Sequence, residues 1–197
     1  MTDGISSTGT TPESVEPVEA PKGTRQRMQI FRGADAPELG KDAMPFVGID
    51  AGVMAGFAKL AAAQGGEERV AGEDVRVLFS QPGGGMSLCY SWFKSGYVLP
   101  RHSHNADCIY YILGGALRAG TQILRKGDGI FIPADFGYTF EALEDGVEFL
   151  ECRNATHFNI HFKGNDEAHW DKMAASYRDN KDRWKEETVK PTDRVPA

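Results

Sequence analysis

The sequence has few cysteines and lacks a long apolar run. Its three cysteines, Cys89, Cys108 and Cys152, are odd in number and widely spaced. They therefore predict neither a disulfide framework nor a CxxC metal site. No apolar stretch approaches the roughly 18 residues of a transmembrane helix, and the first residues lack the basic and apolar regions of a secretory signal. We expect a reduced, cytoplasmic protein.

The sequence also lacks a cluster of basic residues. It carries 28 acidic and 22 basic side chains, for a formal net charge of -6. An acidic chain of this kind is not expected to bind nucleic acid or an anionic membrane. The GxSxG, HExxH and GxxxxGK[ST] motifs are missing as well, which gives no support to a serine hydrolase, a zincin protease or a P-loop nucleotide site.

Glycine and short apolar runs are abundant. The chain has 23 glycines, and from Val75 onward short apolar runs alternate with Gly, Pro, Asn or Asp. This pattern predicts the strands of a β-sandwich or barrel. Two helices are predicted beside it. One covers 53–64 and ends before Gly65; the other follows Gly164 as an amphipathic helix with aromatic residues at helical spacing, interrupted near Asn180.

The predicted elements divide the chain into five segments. Residues 1–25, rich in Ser, Thr, Pro and Glu, are predicted to be disordered because they can bury little apolar surface. Residues 26–74 form an N-terminal extension with the short helix, and 75–163 form the barrel. The C-terminal helix covers 164–188, and 189–197 are a flexible tail.

Two of the five histidines form the sequence His102-Ser103-His104. Residues two apart on a strand lie on the same face, so both imidazoles can converge on one ion inside a barrel. Neutral imidazole is a good ligand for Zn, Fe, Ni and Cu. The pair is therefore the first candidate for a metal site.

The residues around this pair resemble the two sequence motifs of the cupin superfamily. The matching positions are Gly96, His102, His104 and Gly115 in the first motif and Gly127 and Pro133 in the second. In the first motif the last glycine closes a hairpin. The resemblance covers about 75–155 and implies an all-β fold, a cupin jelly-roll barrel that holds a metal or ligand in its mouth. The short N-terminal helix and the C-terminal amphipathic helix would be additions to this barrel.

The sequence departs from the cupin pattern at half of the usual ligands. Metal-binding cupins use the two histidines, a glutamate and a third histidine; here Cys108 takes the glutamate position and Tyr138 the third histidine position. One interpretation keeps a metal on these altered ligands. A second takes a replacement ligand, His157, His161 or Glu151, from a late strand. In the third the metal is lost, and the histidines serve hydrogen bonding or acid–base chemistry in an apolar pocket.

The leading interpretation is a metal-dependent enzyme that acts on a small organic substrate in the barrel mouth. The resemblance implies dioxygenase, lyase or isomerase chemistry on Fe, Mn, Ni or Zn. Tyr138, Glu151 or a late histidine would act as the fourth ligand or as an acid–base group. The alternative is a non-catalytic barrel that binds a small molecule and holds no metal. Cupins of this size also imply a homodimer, since an exposed edge strand needs cover.

Strand alternation predicts which side chains line the substrate pocket. Counting from Cys108, residues Tyr110 and Ile112 face the barrel interior together with the histidine pair. Val98, from the preceding run, completes the predicted pocket.

Overall fold

The computed structural model describes residues 27–66, 71–163 and 166–194. The predicted disorder of 1–25 and the last residues of the predicted tail lie outside this part of the chain. The chain divides into a short unit, Met1–Ile30, and a main unit, Phe31–Ala197. The main unit contains every helix and strand described below.

The described residues of the main unit form nine strands and two α-helices. The strands are β1 (Phe46–Val47), β2 (Glu73–Ser80), β3 (Ser87–Phe93), β4 (His102–Ser103), β5 (Cys108–Ala119), β6 (Gln122–Arg125), β7 (Gly129–Ile132), β8 (Glu141–Arg153) and β9 (Ile160–Phe162). The helices are α1 (Ala51–Gln64) and α2 (Glu167–Glu186), with short 3-10 turns at Gly33–Asp35 and Pro191–Asp193.

The strands form two sheets. The larger has six strands in the order β2-β3-β8-β5-β6, with β7 also paired to β5, and the smaller has the order β1-β9-β4. All pairs are antiparallel except β1 with β9. Isolated bridges join Val98 to Glu141 and His102 to Tyr138. This arrangement confirms the prediction of an all-β fold with a short N-terminal helix and a C-terminal helix.

The core lies between the two sheets. Along β5 the predicted alternation holds, because Cys108, Tyr110 and Ile112 are buried while Ile109 and Tyr111 are exposed. Inward residues of both sheets and of the helices form one apolar cluster, which includes Phe93, Leu117, Val147, Phe149, Ile160, Phe162, Trp170 and Trp184.

Both helices begin at a capping aspartate. The Asp50 side chain accepts a hydrogen bond from the Val53 amide at 2.8 Å, and α1 ends at Gly65 with φ 79°, the left-handed conformation that glycine tolerates. Asp166 caps α2 in the same way. The aromatic stripe predicted for α2 is buried, at Trp170, Met173, Tyr177 and Trp184. Neither helix of the described chain combines the length and apolar character needed to cross a bilayer.

Three details of the predicted elements are wrong. Helix α2 continues without a break through Asn180, whose side-chain amide donates to the Ser176 carbonyl within the helix at 2.8 Å. Gly115 does not close a hairpin but lies within β5 at a register shift, with φ 69°. The apolar runs 138–143 and 147–151, each predicted as a separate strand, belong largely to the single strand β8.

Candidate functional site

A cavity of about 680 Å³ opens within the main unit between the two sheets and the helices. Its apolar wall includes Phe57, Leu60, Phe93, Leu99, Ile160 and Phe162. One polar group of lining residues is His102, His104, Tyr110, Glu151 and Arg153, and a second is Glu73, Tyr97 and Tyr177. The first group contains three of the residues that the sequence predicts for chemistry, His102, His104 and Glu151.

The two polar groups lie at different positions along β3. Glu151 pairs with Cys89, and Glu73 pairs with Phe93, four residues further along β3. Four residues of an extended strand span roughly 13 Å. The two polar groups therefore lie at separate positions in the largely apolar cavity.

The histidine pair is brought together as the sequence predicts. His102 lies on β4 and His104 directly after it, and their Nε2 atoms are 3.2 Å apart. Nδ1 of His102 is 2.7 Å from the Pro100 carbonyl oxygen, and Nδ1 of His104 is 2.5 Å from that of Asn159. A carbonyl oxygen can only accept, so each Nδ1 carries the proton. In the neutral rings both Nε2 atoms then present lone pairs to each other.

Burial keeps both rings neutral. It lowers the pKa of His102 to about 3, with a further contribution from the neighbouring His104. Burial and then the positive charge of Arg153 lower the pKa of His104 to about 4. Two neutral imidazoles with converging Nε2 lone pairs are the state in which histidine binds a metal ion.

Tyr138 extends this cluster. Its hydroxyl lies 3.1 Å from Nε2 of His102 and 2.6 Å from the hydroxyl of Tyr110. Because Nε2 of His102 can only accept, Tyr138 donates to it and Tyr110 donates to Tyr138. Burial raises the pKa of both phenols, so both are protonated in this arrangement. The result is a directed chain of hydrogen bonds from Tyr110 to the histidine pair.

Glu151 faces the cavity, as strand alternation predicts, but it is held by two partners. Ser91 Oγ donates to Oε1, and Nη2 of Arg153 donates to Oε2. Both side chains of this ion pair are buried, with exposed fractions of 2% for Arg153 and 6% for Glu151. Glu151 is therefore an anchor for Arg153 rather than a free acid–base group.

Arg153 is a charged residue of the cavity that the sequence pattern did not identify. Burial alone would lower its pKa, but attraction to Glu151 outweighs this and raises the pKa above its ordinary value. Its guanidinium also lies 4.1 Å from the centre of the Phe158 ring. The alternation that carries Glu151 inward on β8 carries Arg153 inward two residues later.

Two predicted metal ligands are not placed with the histidine pair. Cys108 is buried opposite Arg153, and burial raises the pKa of its thiol, which keeps it protonated. His161 points away from the inward Ile160 and Phe162, and its ring packs against Gly48. Across the described residues, no three His, Cys, Asp or Glu side chains form a cluster suited to a metal ion. Any third ligand beside the histidine pair has to come from another residue type.

The predicted pocket residues are divided between cavity and core. Tyr110 lines the cavity. Val98 and Ile112 are buried in the apolar core, with exposed fractions of 3% and 0%, and are not among the lining residues. The lining of the cavity instead includes Tyr97 and Leu99, the residues on either side of Val98.

Two solved structures share part of this fold. KdgF from Halomonas sp. matches over 46% of this chain and 84% of its own, with 20% identity and a TM-score of 0.41. A variant of oxalate decarboxylase from Bacillus subtilis matches over 43% of this chain, with 20% identity and a TM-score of 0.40. This match spans 26% of the decarboxylase chain. No family model and no curated protein matches the sequence.

Proposed function

We propose that this protein is a metal-dependent enzyme that acts on a small organic substrate in the cavity. The observation that carries the proposal is the convergence of the two Nε2 lone pairs of His102 and His104 at 3.2 Å. Two facing lone pairs repel each other, and a cation bound by both removes that repulsion. The backbone carbonyls that hold each Nδ1–H fix the tautomer, as in many metal-binding histidines.

Tyr138 is the best-placed third ligand. Donors bound to one ion at about 2.0–2.1 Å lie roughly 3.0–3.4 Å apart. The Nε2 atoms are separated by 3.2 Å, and the Tyr138 hydroxyl lies 3.1 Å from His102. The donor set of two imidazoles and a phenol therefore fits a divalent ion, of which Fe, Mn, Ni and Zn accept imidazole.

The protein residues around the ion have separate roles. When bound, a divalent ion in such a site supplies Lewis-acid or oxygen-binding chemistry for a dioxygenase, lyase or isomerase. Tyr110 donates to the Tyr138 oxygen at 2.6 Å and so stabilises negative charge on it. This hydrogen bond also provides a route by which a proton can pass between the two phenols. The apolar wall excludes water from the reacting atoms.

One observation favours the alternative, a small-molecule-binding barrel that holds no metal. The positive charge of Arg153 lies close enough to lower the pKa of both histidines, and it would repel a bound cation. In this second candidate function, Tyr138 keeps its hydrogen bond to His102, and the histidine pair contributes only polar contacts to a ligand.

The test is the metal content of protein purified without chelator and then reconstituted with Fe(II), Mn(II), Ni(II) or Zn(II). We expect near-stoichiometric metal in the wild type and its loss in His102→Ala. Tyr138→Phe should weaken metal binding by roughly 10–100-fold, the usual effect of losing a supporting partner or weak ligand. His157→Ala, at an exposed position, is the matched control. A wild type without metal after reconstitution would contradict the proposal and favour the metal-free barrel.

We also propose that the protein is a cytoplasmic homodimer. The support is the family resemblance, the reduced cysteines and the need to cover an edge strand. Among the described residues all three cysteines are free thiols. Light scattering after size-exclusion chromatography measures the mass in solution, and a monomer at micromolar concentration would contradict the dimer.

A further inference from the structure

Arg153 has hydrogen-bonding capacity that its protein contacts do not use. A guanidinium carries five N–H groups, and Glu151 accepts from Nη2. Nε and Nη1 are buried and have no hydrogen-bond partner among the described residues. The Cys89 thiol nearby is protonated, because burial raises its pKa to about 12, and a thiol is a weak acceptor.

The orientation of the ion pair leaves one edge of the guanidinium without a protein acceptor among the described residues. Each edge of the planar group presents Nη2 together with either Nε or Nη1. Because one carboxylate oxygen of Glu151 takes Nη2, two parallel N–H donors remain on the other edge. That is the arrangement which binds a carboxylate through both of its oxygens. Ser91 and Phe158 hold the ion pair in position from the Glu151 side and from the guanidinium face.

The rest of the cavity is suited to an apolar molecule. Arg153 lines the same space as the histidine pair, and much of the remaining lining is made of Phe, Leu and Ile side chains. Glu151 and Glu73 pair with positions of β3 that lie roughly 13 Å apart. A ligand that fills the cavity has a charged head and an apolar body.

We propose that Arg153 binds the carboxylate of the substrate and that the substrate is a monocarboxylic acid with an apolar body. The link of this inference to catalysis rests on the proposed function. A carboxylate bound at Arg153 would place the adjacent carbons of the substrate beside His102 and His104. The binding itself requires only the cavity and the arginine. It can therefore be tested whether or not a metal is present.

The experiment is calorimetric titration with monocarboxylates from acetate to decanoate and with 3-phenylpropionate, each paired with its primary amide. The full-length protein is used both metal-loaded and after chelation. We expect the longer acids to bind and their amides to bind about tenfold or more weakly, since hydrogen bonds to charged groups are stronger than neutral ones. The preference for the acid should persist in chelated protein. Inorganic phosphate in the same titration measures binding of a bare anion.

Two variants test whether Arg153 causes the preference for acid over amide. Glu151→Gln with Arg153→Met removes both charges together and should abolish the preference for acid over amide. Arg118→Met, an exposed arginine on β5, should retain it. The proposal is overturned if no acid in the panel binds, if amides or phosphate bind as well as the long acids, or if the preference survives the double substitution. A preference that disappears on chelation would assign the carboxylate to the metal instead.

Discussion

At the scale of single residues, the buried ion pair between Arg153 and Glu151 has a large expected effect on stability. Arg153→Met alone leaves a carboxylate buried without its counter-charge, which costs about 3–5 kcal/mol. Adding Glu151→Gln removes the unpaired charge and should recover much of that loss. Urea unfolding monitored by circular dichroism measures both effects as changes in the free energy of unfolding.

The same substitution at an exposed arginine is the control for this prediction. Arg118→Met should change the free energy of unfolding by no more than about 0.5 kcal/mol. If Arg153→Met is as stable as the double variant, the pair is not coupled, and Arg153 is held by its contact with Phe158 instead.

The sequence predicts single site residues where they belong to a motif or to strand alternation. The positions of His102, His104 and Tyr138 follow from the cupin motifs, and Glu151 follows from the apolar inner face of β8. The same alternation also places Arg153 on the inner face, but a charged residue at the end of a strand is usually expected to be exposed to solvent. The hydrogen bond between the hydroxyls of Tyr138 and Tyr110 joins two segments that are distant in the sequence. No local sequence pattern predicts how such segments meet.

At the scale of elements, the packing of α1 on α2 depends on one small residue. A Cβ added at Gly56 would lie 2.1 Å from the Trp170 ring. Alanine raises helix propensity by about 1 kcal/mol relative to glycine, but overpacking costs about 1–3 kcal/mol. We therefore expect Gly56→Ala to lower the midpoint of thermal unfolding. At Gly40 an added Cβ meets nothing within 4 Å, so Gly40→Ala is the control.

A higher unfolding midpoint in Gly56→Ala than in the Gly40→Ala control would contradict this prediction. It would show that α2 can move away from α1 at little cost. The close contact of the two helices would then contribute little to the stability of the main unit.

Elements were predicted well where the local signal is unambiguous. The predicted helix over 53–64 is α1, which begins two residues earlier, and the predicted helix over 164–188 contains α2. The glycines were harder to interpret, because a turn and a β-bulge both place glycine at positive φ. Gly115 and Gly146 have φ of 69° and 72° within long strands, and an added Cβ at Gly115 would lie 2.1 Å from the Gly146 carbonyl oxygen.

At the scale of the main unit, residues of both sheets and both helices line the cavity. The histidine pair and Arg153 lie towards one end, where the sheets meet. At the other end, α2 contributes Tyr177, whose hydroxyl lies 3.2 Å from that of Tyr97, which in turn donates to Glu73 at 2.7 Å. The C-terminal helix therefore shapes the end of the cavity that is distant from the proposed chemistry.

Trp184 holds that distant end in place. Its indole N–H donates to the Ser95 carbonyl at 2.9 Å, and its ring packs on Tyr97 and Tyr177 with centroid distances of 5.8 and 5.5 Å. Removing a buried tryptophan side chain costs about 3–5 kcal/mol. We expect Trp184→Ala to lower the free energy of unfolding by this amount, measured by urea unfolding, whereas Glu186→Ala at an exposed position should have little effect.

The same substitution tests whether the cavity works as one elongated site. Below its unfolding temperature, Trp184→Ala should weaken binding of decanoate, whose chain reaches towards Tyr97 and Tyr177, more than binding of acetate. The carboxylate of either acid contacts Arg153, which lies roughly 13 Å away along β3. An equal loss of affinity for both acids would show that the substitution disturbs the Arg153 end as well. The two polar groups would then not be independent parts of one binding site.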